Sequence, residues 1–199
     1  MKEQQWKETL ILVDADYVDK VAFDLTVNFE RMLGRRISAA DMARWLECVA
    51  LDGGCRPADD GQQATAATQV VLLHSGNRLD NFMPGSFDEL DGKAFTGALG
   101  EFLISCVKVE PLTSTEELFC ESLQVVSTAP EVKRLIVVPN AENYYNKVSA
   151  TLRHSDPDKH VTVLAMQPLE GGGCRQEILG YSLMAALGIS AEEVGRSMK

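Results

Sequence analysis

Short, unbroken apolar runs alternate along this chain with longer stretches in which apolar residues recur every three or four positions. The runs lie at residues 9–13, 68–74, 104–109, 134–138 and 160–166. They are rich in Val, Ile and Leu and are bounded by polar residues, Gly or Pro, which predicts five strands buried on both faces. The stretches between them read as helices. Val18, Val21, Ala22, Leu25, Phe29, Met32 and Leu33 define a helix over 17–33, with Gly34 as its C-cap. Ser38, followed three residues later by Asp41, is a capping-box signature for a second helix that carries Met42, Trp45, Leu46 and Val49 and stops at Gly53-Gly54. From Phe87 onward, Leu90, Phe95, Leu99, Phe102 and Leu103 predict a third helix leading into the strand at 104. Ser114 stands as N-cap of a helix bearing Leu118, Phe119, Leu123 and Val126. Two more helices are expected over 142–154 and 174–187, and Ser190 opens a short last one. Residues 53–67 and 78–86 carry no periodicity and read as loops.

Strands alternating with capped helices predict an α/β protein, a three-layer α/β/α sandwich around a five-stranded parallel sheet. No repeat or linker divides the 199 residues, so a single domain is expected, with its main body over 9–166 and terminal helices over 174–198. A chain of this length buries roughly 70% of the surface it would expose unfolded. Its apolar runs are far shorter than the ~20 residues of a membrane span. Because Met1 to Trp6 lacks a signal-peptide core, a cytoplasmic location without a membrane partner is expected. The five cysteines are odd in number and lack paired spacing, as expected of reduced thiols. Nineteen basic against twenty-nine acidic residues give a net charge of −10. That balance opposes non-specific attraction to a phosphate backbone and disfavours RNA, leaving a protein partner or a second copy of the chain.

Candidate chemistry gathers at the first strand. Its apolar run ends at Asp14 and Asp16, and the carboxyl ends of strands are where open α/β sheets place ligands. Glu121 follows Glu116 and Glu117 on the helix after Ser114. Two readings stand side by side: the carboxylates face one cleft, or Asp14 caps the next helix and Glu121 lies on a solvated face. Of the two adjacent tyrosines, Tyr144 is expected to pack inward and Tyr145 to lie at the surface. The run Gly171-Gly172-Gly173 is either a flexible turn or an anion-binding nest that would lower the Cys174 thiol pKa at a helix N-terminus. His74, His154 and His160 lie at separate element ends and form no triad pattern.

Three segments together resemble the NYN branch of the PIN-like nuclease superfamily. Ile11-Leu12-Val13-Asp14-Ala15-Asp16-Tyr17 is similar to that family's first acidic motif, with Tyr17 where the family has Asn. Thr115 to Glu121 follows its second motif, with Thr115 at the first acid and Glu121 at the next. Pro139-Asn140-Ala141-Glu142-Asn143-Tyr144 stands at its third, with Ala141 and Asn143 where two acids belong. The resemblance implies a PIN-like, Rossmann-like sheet of order 3-2-1-4-5. It also implies a site of Asp14, Asp16, Glu121 and Asn143, in which Asp14, Asp16, Glu121 and Glu142 would weakly hold Mg or Mn. Loss of the acids at Ala141 and Asn143, with the acidic net charge, favours a non-catalytic or weakly active binding or assembly module. The alternative is a divalent-metal ribonuclease or related phosphoesterase.

Overall fold

A computed structural model describes residues 5–59, 66–171 and 173–199. Residues 60–65 of the expected 53–67 loop, and Gly172 of the glycine run, lie outside the described residues. The chain begins with β1 (Thr9–Asp14), α1 (Ala15–Leu33), β2 (Ala40–Asp41), α2 (Met42–Asp52), β3 (Ala67–His74) and β4 (Phe82–Met83). It continues through α3 (Phe87–Leu90), β5 (Ala94–Gly97), β6 (Gly100–Lys108), α4 (Thr115–Thr128) and β7 (Arg134–Val138). The last elements are α5 (Ala141–Leu152), β8 (His160–Ala165), β9 (Arg175–Ile178), α6 (Leu179–Ala186) and α7 (Ala191–Ser197).

The five strands expected from the sequence lie side by side, all parallel, as β6-β3-β1-β7-β8. In order of expectation that is 3-2-1-4-5, with β1 at the centre. The sheet is nevertheless seven-stranded and mixed rather than five-stranded and parallel: β5 pairs antiparallel with β6, and β9 extends the other edge in parallel with β8. Helices flank it on both faces because β1 is apolar on both. Ile11 and Val13 point to a core shared with Val18 and Val21 of α1, Trp45 and Leu46 of α2, and Leu183 of α6. Leu10 and Leu12 point the other way, against Phe119 and Leu123 of α4 and Val148 of α5. Truncating such a fully buried leucine to alanine costs about 2–5 kcal/mol.

Three element expectations are corrected. The helix expected from Phe87 is a single turn followed by a β-hairpin, because Phe95 and Phe102 pair across β5 and β6 with stacked rings 4.7 Å apart. A spacing of seven fits both two helical turns and opposite rungs of a hairpin, so periodicity alone misassigned it. The helix expected from 174 starts at Leu179, since Arg175–Ile178 is the edge strand. Finally, Asp41 rather than Ser38 caps α2, its carboxylate accepting the Arg44 amide at 2.9 Å. Ala40 and Asp41 first pair with Phe82 and Met83, which delays the helix start and draws the 78–86 loop inward to bury Phe82 against Trp45.

Candidate functional site

β1 and β7 are neighbours, but α1 leaves β1 toward one face and α5 leaves β7 toward the other. The segments after the two strands must part, and such a switch point opens a crevice at the carboxyl end of a parallel sheet. A cavity of 320 Å³ lies there, lined by Asp14, Asp16, Tyr17, Ser75, Glu116 and Tyr144 among others.

Asp14 stands at its base, 3% exposed. One carboxylate oxygen accepts the Tyr17 amide at 3.1 Å, the N-cap bond of α1, and the other accepts the Tyr144 hydroxyl at 2.5 Å. Burial pushes this carboxyl above the usual carboxylate range, and the bonds from Tyr144 and Tyr17 pull it partly back. Tyr144 reaches Asp14 because the chain kinks as it enters α5. Asn140 carbonyl oxygen accepts the amides of both Asn143 and Tyr144, and Tyr144 itself takes φ −138° and ψ 26°. Its ring packs on Phe119 with centroids 5.6 Å apart, and burial with the adjacent Asp14 drives its phenol pKa upward, so it remains a donor.

Asp16 is equally engaged. Its carboxylate accepts the amide and hydroxyl of Ser75, both at 2.7 Å, and the Gly76 amide at 3.4 Å, closing the turn after β3. Asp19, one turn on, holds the Asn81 amide in the same way at 2.9 Å. Glu142 accepts the Tyr17 hydroxyl at 3.3 Å. Asn143 lines the cleft with an exposed side chain, and Asn140 lines it with a buried Oδ1 that has no donor among the described residues.

Glu121 does not join this group. It is exposed on α4 in a separate shallow groove with Glu116, Glu117, Cys120 and Lys147. The α4 carboxylate at the cleft is Glu116, which pairs with Lys147. The reason is helical geometry: the Ser114–Glu117 capping box fixes where α4 starts, and only its first turn borders the crevice. The cleft is therefore bordered by Asp14, Asp16 and Glu116, and the expected Glu121 lies outside it. Among the described residues no three His, Cys, Asp or Glu side chains come together as a metal-holding set. Both oxygens of Asp14 and both of Asp16 accept protein hydrogen bonds.

The periodicity could not reveal Tyr17, Glu116 or Asn140 as cleft residues. Tyr144 is buried as expected, but Tyr145 is half-buried rather than at the surface. All five cysteines are free. Cys174 precedes β9 instead of a helix, and burial raises its thiol pKa rather than a helix N-terminus lowering it.

Fold and cleft together define an α/β protein with an acidic cleft at the switch point of a mostly parallel sheet. The chain belongs to a family of unknown function, DUF6621, which matches residues 3–194. No curated protein and no solved structure matches it. Among the described residues no helix is long and apolar enough to cross a membrane.

Proposed function

We propose that this chain is a non-catalytic binding module on a PIN-like frame, whose switch-point cleft receives a hydrogen-bond-donating group of a protein partner. The observation that carries this reading is the Tyr144 hydroxyl on Asp14 at 2.5 Å. A metal-dependent hydrolase aims carboxylate oxygens at its cation. Here a phenol and a helix cap each bond one oxygen of Asp14, which supports a structural role for this carboxylate. What the cleft still offers is acceptor capacity: the buried Asn140 Oδ1, with Asp16 and Glu116 on the walls. A buried acceptor without a donor costs about 1–3 kcal/mol, and an entering N–H or O–H recovers it. The acidic net charge supports a protein rather than an RNA as the partner.

Calorimetric titration of manganese into the protein tests this role of Asp14. The expected result is no binding tighter than about millimolar, the range of weak carboxylate sites, and the same weak response from Asp14→Asn. Stoichiometric micromolar binding that Asp14→Asn abolishes would overturn the reading in favour of the metal-dependent phosphoesterase.

A further inference from the structure

A cavity of 570 Å³ lies at the opposite end of the sheet. Its wall includes the first residues of three adjacent strands, Arg134 of β7, His160 of β8 and Arg175 of β9, with Arg153 coming from the end of α5. Arg134 and His160 are register partners, as are Thr162 and Arg175, so neighbouring strands present these side chains together. In a chain of net charge −10 this is a local concentration of positive charge, with Asp156 the single carboxylate among the lining residues.

The balance of partners shows which cations are uncommitted. Arg175 is taken by Glu177 at 2.8 Å, and Asp52 acts on the same pair. Lys159 is buried with its ammonium on the carbonyls of Ala129 and Val132. Arg134 and Arg153, in contrast, form no ion pair among the described residues. Arg134 is half-buried and uses one N–H, donated to Gly53 carbonyl oxygen at 2.7 Å, leaving four of the five donors of a guanidinium. It also lies beside the Arg175–Glu177 pair. A Cβ on Gly54 would stand 2.6 Å from Arg134 Nη1 and 3.6 Å from Arg175 Nη1, so both guanidinium groups converge over a glycine that has room for no side chain. A half-buried guanidinium without a counter-ion is costly unless an anion completes it.

We infer that this cavity binds a small phosphate-bearing molecule, with Arg134 and Arg153 as its anion ligands. Planar guanidinium donors match phosphate oxygens in bidentate fashion. The volume is that of a metabolite site rather than of a lone ion, and half-buried Tyr145 supplies a ring wall for the organic part. The negative end of α5 and Asp156 border the same space. They oppose diffuse anion attraction, so binding rests on direct bonds from the two guanidinium groups. The site is distinct from the switch-point cleft and does not depend on the function proposed for it.

Calorimetry with inorganic pyrophosphate and with adenosine monophosphate, against adenosine as the uncharged control, tests the site. Both anions are expected to bind competitively, with affinity falling as salt is added, and adenosine is expected not to bind. Arg153→Gln should weaken both anions about tenfold, the scale of one lost charge-assisted bond. Its side chain makes no hydrogen bond or ion pair among the described residues, so this variant leaves the fold intact. Arg134→Gln should weaken binding further, with Arg134→Lys restoring part of it. Failure of both anions to bind the unaltered protein would overturn the assignment. So would binding indifferent to Arg153→Gln, or adenosine binding as tightly as its monophosphate.

Discussion

Single side chains decide what the switch-point cleft is able to do. Asp14, Asp16 and Asp19 each hold down backbone: the start of α1, the turn after β3, and the segment entering β4. Asp14 and Asp16 were legible in the sequence as acids ending an apolar run. Their partners were not, because Ser75 and Tyr144 are brought in from 59 and 130 residues away. Tyr144→Phe isolates the key bond. Asp14 has a raised folded pKa, so the folded chain keeps a proton that the unfolded chain releases, and stability falls as pH rises from the ordinary carboxylate pKa of 3.8 through that raised value. Without the phenol the pKa climbs further and the fall deepens. Urea unfolding should show Tyr144→Phe less stable by about 2 kcal/mol at neutral pH and by about 1 kcal/mol or less below the carboxylate range. An equal loss at both pH values would mean that the hydroxyl does not act on the Asp14 carboxylate.

At the level of elements, the sequence spoke most clearly for the five central strands and for helices opened by a capping residue, because burial on two faces and a capped first turn leave local signatures. It failed at the sheet edges. β5 and β9 are short, four residues each, and half-exposed, so they carry little apolar pattern of their own and are defined by pairing to a neighbour. The start of α2 shows the same dependence on a distant partner. Ser38 and Asp41 both look like caps, and the choice is made by β4, which binds Ala40 and Asp41 in a two-residue ladder before the helix begins. Asp41→Ala should therefore cost about 1 kcal/mol of stability, whereas Ser38→Ala should cost about 0.3 kcal/mol or less. The midpoints of chemical denaturation of the two variants measure this, and the reverse order would return the cap to Ser38.

For the whole molecule, chain topology places the crevice between β1 and β7, and the side chains of Asp14, Asp16 and Tyr144 are hydrogen-bonded within it. A second, basic cavity sits at the other end of the sheet, where the strands begin. Neither arrangement follows from element order alone. Arg134, Arg153 and Arg175 are scattered through a strand start, a helix end and an edge strand, and they gather only once the sheet has assembled. The resemblance to PIN-like nucleases made an acidic centre worth testing, and its third motif already lacked two acids, at Ala141 and Asn143. On the function proposed above, the Tyr144 hydroxyl bound to Asp14 is a second barrier to hydrolysis. Incubating the unmodified protein with labelled single-stranded RNA and manganese tests that claim most directly. The RNA should remain intact, at the level seen with Asp14→Asn. Manganese-dependent cleavage by the unmodified protein, lost in Asp14→Asn, would contradict it.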